Sequence, residues 1–374
     1  MKVAIVHDQL QEFGGAERVL VIISRMFPKA SIYTSFYSPK KLGIHAAEFK
    51  NKKIITSWAS KIPFLNRLYS PLRFITPKIW EHFIFSNYDL VISSSGSYMC
   101  KGIITKPPTK HISYIHHPPR YLYGYETAVE WKKYLLIRVY GNILNLFLRQ
   151  WDFTSSQRPT LFIANSEETQ RRVTKFYRRK SEVIYPPVTI PLKNSVEIST
   201  FPSKKRYITV SRLARAKHID LLVQTANKYH FDLTVVGTGR DMERLKKIAG
   251  PTVHMRGEIT DDELAKVYQS AYAFLFASVD EEFGIAPIEA MGYGLPVIAF
   301  NSGGIPETVH HNINGYLYDS QTPEALYASI QKLESLSSDN YQKMRNEART
   351  QAEQFSEKNF VDKLEKTISR ITRT

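Results

Sequence analysis

Apolar positions along this chain fall into short, compact runs separated by amphipathic or polar stretches. In the first half the runs are Lys2 to Val6, Ser31 to Phe36, Leu90 to Ile92, His111 to Ile115 and Leu161 to Ala164. Each is short and rich in β-branched or aromatic residues, which predicts buried strands rather than helices. Between the first two runs, Gly14-Gly15 marks a loop and Ala16 to Phe27 carries a helical period. The Leu90 run passes into Ser93-Ser94-Ser95-Gly96-Ser97, read as a small-residue turn. His116-His117-Pro118-Pro119 ends the next run, and Leu161 to Ala164 leads through Asn165-Ser166 into a helix beginning near Glu167. Strands alternating with helices mean a parallel sheet covered on both faces.

The pattern then breaks. Ile184-Tyr185-Pro186-Pro187-Val188, Pro191, Lys193 to Thr200 and Pro202 have linker composition. Beyond it the alternation restarts with Tyr207 to Val210, Leu233 to Val236, Val253 to Met255, Ala271 to Ala277 and Val297 to Phe300. A long helical segment, Tyr341 to Arg370, follows, interrupted around Phe355-Ser356. Two α/β units are therefore expected, one over 1–196 and one over 197–356. A chain of 374 residues is long enough for two cores.

Composition narrows the functional classes. With 43% hydrophobic and 23% charged residues and a mean hydropathy of -0.30, the chain reads as globular. No apolar stretch reaches the length of a membrane span. Met1 to Leu10 reads as a buried strand and not a signal peptide. Cys100 is the single cysteine, so an internal disulfide is impossible and a reducing compartment is natural. The formal charge of +16 implies an anionic partner such as a nucleotide, a nucleic acid or an acidic lipid. No Cys/His cluster has zinc spacing, no Ser-His-Asp set stands in an elbow motif, and Asp-x-Asp is absent, so no bound metal is expected.

The stretch Asp280 to Gly292 carries the densest chemistry. It lies between the Ala271 and Val297 runs, with Pro287 suited to the first helical position and Gly294 to the exit. Glu281 is thus predicted on a loop and Glu289 on the first helical turn, near the carboxyl end of a parallel strand, where open α/β sheets bind ligands. Carboxylates accept hydrogen bonds from hydroxyls and a helix amino end favours an anion; a sugar joined to a phosphate supplies both. In one continuous helix the two carboxylates would stand roughly 12 Å apart, a poor match to the roughly 5–9.5 Å of glycosidase pairs.

Seven residues separate Glu281 from Glu289, with Phe283-Gly284 inside and Glu289-Ala290-Met291 at the end. This resembles the E-x7-E signature of retaining glycosyltransferases of the GT-B fold, in the large family four of nucleotide-sugar enzymes. The resemblance implies two Rossmann-like domains facing each other across a cleft, with 357–374 returning to the first. It implies that Glu281 meets the hydroxyls of the donor sugar and Glu289 the ribose. Phe283, Gly284 and Ile285 would line the donor, and Arg256-Gly257 would read the nucleobase edge, with Gly237 and Gly239 nearby or simply forming β–α turns. Arg212 and Lys217, leaving the Tyr207 strand, match the family's diphosphate clamp; an Arg fork and a Lys point charge suit that task.

In the first domain, Gly14-Gly15-Ala16-Glu17-Arg18-Val19 resembles the family's glycine-rich loop against the sugar diphosphate and acceptor. His116 matches its sugar-facing histidine. Asp8, Arg18, His117 and Arg120 are candidates for the acceptor, and Asn165-Ser166 matches a further motif that could equally cap a helix. The string His116-His117-Pro118-Pro119-Arg120-Tyr121 resembles the subgroup transferring mannose from GDP-mannose in O-antigen, capsule or lipopolysaccharide assembly in bacteria. The implied acceptor is a lipid-linked saccharide or polysaccharide.

Two basic stretches, Lys50 to Arg73 interleaved with aromatics and Arg171 to Lys180, suit either a solvated face or an anionic membrane surface. Peripheral attachment to the cytoplasmic face of the membrane is the preferred expectation and nucleic-acid binding is not expected. Alternatives are a UDP-sugar-dependent transferase, a sugar-nucleotide 2-epimerase of the same fold, and, from another class, an inactive scaffold or nucleic-acid binder.

Overall fold

The computed structural model describes residues 1–127, 134–192 and 204–373. The chain divides into two compact units, one comprising Met1–Tyr125, Glu130–Pro187 and Glu357–Thr374, the other Glu126–Val129 with Val188–Ser356. The boundary expected at 196, within Lys193 to Thr200 and Pro202, lies outside the described residues.

The first unit is built on seven parallel strands: β1 (Val3–His7), β2 (Ser31–Thr34), β3 (Ile54–Thr56), β4 (Leu90–Ser95), β5 (Lys110–Ile115), β6 (Leu161–Ala164) and β7 (Ser181–Val183). They lie in the order β3-β2-β1-β4-β5-β6-β7. All five residues of β1 and all six of β4 are buried, as helices on both faces of a parallel sheet require. Helix Gly15–Met26 buries Val19, Leu20, Ile22 and Ile23 on one face, with Glu17 in its first turn and Arg25 in its last, both favourable to the helix dipole. Helix Glu357–Arg373 joins the same core through Phe360, Leu364 and Ile368, with Phe360 edge-on to Tyr114 at 5.8 Å.

The second unit repeats the plan with six parallel strands: β8 (Arg206–Val210), β9 (Asp232–Val236), β10 (Val253–Gly257), β11 (Ala273–Phe276), β12 (Val297–Phe300) and β13 (Gly315–Tyr318), ordered β10-β9-β8-β11-β12-β13. In each sheet the chain builds outward on one side and then crosses to the other, so the order reverses between β1 and β4 and again between β8 and β11. The connections on either side of such a point lie on opposite faces and open a crevice at the strands' carboxyl ends.

Several expectations need correction. The serines after Ile92 do not turn: β4 runs on to Ser95, its hydroxyls buried but hydrogen-bonded, with Ser93 donating to Ser113 Oγ at 2.8 Å. Pro287 is the third rather than the first residue of helix Ile285–Gly292, which Gly284 caps at φ +84°. Glu289 consequently sits on the second turn. Arg172 and Arg179 do not belong to a solvated basic face. Arg172 is 2% exposed and bonded to Glu168, and Arg179 donates to the carbonyls of Ser156, Gln157 and Pro159.

Helix Leu135–Ser155, which no sequence pattern announced, is locked to the first unit at its far end by an ion pair. Lys101 Nζ lies 2.7 Å from Asp152 Oδ1, with the side chains 1% and 0% exposed, and Tyr123 donates to the other carboxylate oxygen at 2.7 Å. Burial pushes the Lys101 ammonium down, opposed by the charge of Asp152. Removing one partner of a buried pair strands the other. Lys101→Met is expected to lower stability by about 3–5 kcal/mol in urea unfolding followed by circular dichroism.

Candidate active site

Glu281, Arg212 and Lys217 leave the carboxyl ends of β8 and β11, the two strands flanking the reversal in the second sheet. Lys217 ends a short turn of helix, Arg215–Lys217, and its Nζ stands 2.5 Å from Glu281 Oε2, both side chains about one-fifth exposed. Arg212 is exposed on the loop before it, and Arg256 is exposed at the carboxyl end of β10.

Backbone packing holds these loops. A Cβ on Gly303 would meet the Glu281 carbonyl oxygen at 2.1 Å, and one on Gly304 would meet that of Glu282 at 2.1 Å. Gly304 N–H donates to the Glu281 carbonyl at 2.7 Å, and Asp280 N–H donates to Ser302 Oγ at 2.9 Å. Asp280 itself takes φ +54°, a conformation Asp tolerates better than most residues. The Arg212 loop is held alike: Leu213 N–H donates to Thr238 O at 2.8 Å, and a Cβ on Gly237 or Gly239 would meet the Ser211 or Leu213 carbonyl oxygen at 2.0 or 2.1 Å. Gly237 N–H also donates to Gly257 O at 2.7 Å.

Gly284 caps helix Ile285–Gly292 three residues after Glu281, so the helix's first N–H groups and positive dipole end adjoin the loop whose Glu281 pairs with Lys217. Glu289 is half-buried on this helix. Burial pushes the Tyr293 phenol up, and the charges of Glu289 and Asp261 add to it. Phe283 packs inward, 3% exposed and edge-on to Phe355 at 5.3 Å, so what it can offer a ligand is its backbone. Two cations, a helix amino end and an acceptor carboxylate on one edge can hold an anionic diphosphate beside a hydroxyl-bearing group.

In the first unit the corresponding edge gathers His116, Gly14, Asp8 and His117. His116 Nε2 lies 2.7 Å from Ser94 Oγ, which lies 3.0 Å from His7 Nδ1; His7 Nε2 lies 3.3 Å from Glu17 Oε1; and Gly14 N–H donates to Glu17 Oε2 at 2.9 Å. His7, Ser94, Glu17 and His116 are all buried. A carboxylate only accepts, so His7 donates through Nε2. With one proton on each ring, His7 Nδ1 then accepts from the Ser94 hydroxyl, and Ser94 accepts from His116 Nε2–H. The chain of bonds orients the Gly14 loop and sets the His116 tautomer together.

Asp8 has a structural task as well. Its carboxylate accepts from the N–H groups of Gly96, Tyr98 and Cys100 at 2.8–2.9 Å. His117 Nε2 and Asp8 Oδ2 both stand close to Gly96, 3.1 and 3.5 Å from where a Cβ on that residue would sit. Arg18 and Arg120 are half-buried. Ser166 caps helix Glu167–Tyr177, accepting from Thr169 N–H at 3.0 Å. His7, Glu17 and Ser94 escaped the sequence reading because nothing linear connects residues ten and 87 positions apart. Among the described residues, no three His, Cys, Asp or Glu side chains come together as metal ligands.

Residues 13–190 match the model of Glycosyltransferase Family 4, and residues 193–351 match Glycosyl transferases group 1. The crystal structure of Anabaena Alr3699/HepE in complex with UDP superposes with a TM-score of 0.71 over 99% of this chain and 100% of that one, at 17% identity. The fold is GT-B. The two family matches fall one after the other along the chain and together cover most of it.

Among proteins similar to this GT-B chain, the UDP-N-acetylglucosamine–peptide N-acetylglucosaminyltransferase GtfA subunit of Streptococcus pneumoniae is 28% identical over 76% of this chain and 57% of that protein. The GDP-mannose-dependent alpha-(1-6)-phosphatidylinositol monomannoside mannosyltransferase of Mycobacterium tuberculosis is 34% identical over 34% of this chain and 37% of that protein. The chain spans about half the length of the first of these relatives.

With Ser94→Ala, His116 Nε2 loses the hydroxyl that accepts from it. Nitrogen NMR of the imidazoles is expected to report Nε2–H for His116 in the wild type and a mixture in the variant. The same mixture in both proteins is the contrary result.

Proposed function

We propose that this chain is a retaining hexosyltransferase that takes a nucleoside-diphosphate sugar and passes the sugar to a lipid-linked or polysaccharide acceptor. The observation that carries the reading is the Lys217–Glu281 pair at the carboxyl ends of β8 and β11, where the strand order reverses. In this reading the donor diphosphate meets Arg212, Lys217 and the amino end of helix Ile285–Gly292. As the bond to the anomeric carbon breaks, charge builds on the leaving phosphate, and fixed cations there stabilise the transition state. Glu281 accepts from the sugar hydroxyls, Glu289 from the ribose, and Arg256-Gly257 lies at the nucleobase. His116, Asp8, Arg18, His117 and Arg120 face the sugar and acceptor. Retention proceeds by same-face attack, the acceptor's proton passing to the departing phosphate. No metal takes part.

The sequence string from His116 to Tyr121 supports GDP-mannose as donor, and the mycobacterial relative is named for that donor. A second reading, a UDP-sugar donor, is supported by the pneumococcal relative's name and by the UDP bound in the Anabaena structure. Attachment to the cytoplasmic face of a bacterial membrane, through the basic surface of the first unit, would bring the enzyme to a lipid-linked acceptor.

Glu281→Ala, Arg212→Ala and Lys217→Ala are each expected to lower turnover at least about 100-fold with unchanged circular dichroism. Wild-type turnover in all three would remove the site assignment. Thermal-shift titration is expected to show a rise in melting temperature with GDP-mannose exceeding that with UDP-glucose or UDP-GlcNAc; the opposite order establishes the UDP reading.

A further inference from the structure

Helix Leu135–Ser155 has two apolar faces, and the first unit uses only one. The side facing the core carries Leu144, Leu148, Asp152 and Ser155, all buried. On the other side Leu136, Val139, Ile143 and Phe147, at spacings of three, four and four, form a single stripe that is 83%, 50%, 65% and 56% exposed. A water-facing helix ordinarily reserves that side for polar residues, and a continuous exposed apolar patch marks a contact surface.

The neighbourhood identifies the occupant. The Tyr140 hydroxyl donates to the Pro71 carbonyl, which sets the helix beside a segment where Phe64, Leu68 and Phe74 are 67%, 52% and 48% exposed. Between Glu48 and Glu81 that segment holds no acidic residue and seven Lys or Arg, of which Lys50, Lys53, Lys61, Arg67 and Lys78 are exposed. A second copy of the chain would bring like charges together across the contact. Anionic phospholipid headgroups complement them. The helix cannot cross the bilayer: it carries Arg138, Arg149 and Asp152, and no helix among the described residues is long and apolar enough to span.

We propose that helix Leu135–Ser155 lies in the plane of an anionic membrane. Its Leu136–Phe147 stripe, together with Phe64, Leu68 and Phe74, enters the headgroup–acyl boundary while Lys61, Arg67 and Lys78 meet the phosphates. This deepens the membrane attachment read above, assigning the hydrophobic part of the anchor to a helix outside the basic stretches, and it does not depend on which donor is used.

The test is co-sedimentation of the full chain with phosphatidylcholine vesicles, with and without phosphatidylglycerol, beside sedimentation velocity of the chain alone. The wild type is expected to bind the phosphatidylglycerol vesicles at least about tenfold more tightly than the neutral ones. Ile143→Asp and Phe147→Asp, both at exposed positions, are expected to weaken that binding more than about tenfold with unchanged melting temperature and nucleotide-sugar response. If the variants bind as the wild type does, the helix is not the anchor and the basic surface alone suffices. If the wild type ignores both vesicles, membrane attachment falls altogether while the nucleotide-sugar response still reports on the transferase reading. A dimer dispersed by Ile143→Asp would show that a second copy covers the stripe, overturning the proposal.

Discussion

The candidate active site depends on backbone approaching backbone with no room for a side chain between. Where the chain leaves β11, the Glu281 and Glu282 carbonyls lie against Gly303 and Gly304, so close that a Cβ on either glycine would overlap a carbonyl oxygen. The hydrogen bond from Gly304 N–H to Glu281 O fixes the loop and so fixes where the Glu281 carboxylate stands, 2.5 Å from Lys217. Gly237 and Gly239 do the same for the loop carrying Arg212. Loops leaving neighbouring parallel strands start only about 4.8 Å apart, and small residues let them stay that close as they leave the sheet.

Strand order decides which loops meet. Because the chain builds one side of each sheet before crossing to the other, β8 and β11 are neighbours in space but not in sequence, as are β1 and β4. Lys217 and Glu281 are 64 residues apart, His7 and Ser94 are 87 apart, and both contacts form at such a junction. The first unit spans its junction with a buried polar chain from Gly14 to His116. Burying four polar side chains costs little only because each is hydrogen-bonded to the next. The serines of β4 belong in a buried strand for the same reason: partners on β1 and β5 satisfy the Ser93 and Ser94 hydroxyls, and Lys101 N–H donates to Ser95 Oγ.

Where a local signal coincided with a local cause, sequence and structure agree. β6 and β12 occupy Leu161–Ala164 and Val297–Phe300 as their apolar runs predict, and Gly294 takes φ +71° just past the helix it ends. Pro287 was a less faithful marker, because a proline is tolerated anywhere in a helix's first turn, where N–H groups lack intrahelical acceptors. Strands β3 and β7 have three residues each, too few for a period to register. Helix Leu135–Ser155 carries no single narrow apolar stripe in its sequence, since a second apolar side widens the one-sided period that identifies a surface helix.

By itself the sequence determined the class of fold, the two-fold recurrence of α/β units and the identity of the charged residues at strand ends, because these follow from hydrophobic period and from residue chemistry within a few positions. It also determined that Glu281 would stand on a loop. The tertiary structure alone decided that Lys217 reaches Glu281, that His7, Glu17 and Ser94 stand behind His116, that Phe283 turns inward, and that one apolar helix face stays uncovered. Each of these depends on strand order and on which faces pack together, and both are settled by burial between residues far apart in the chain.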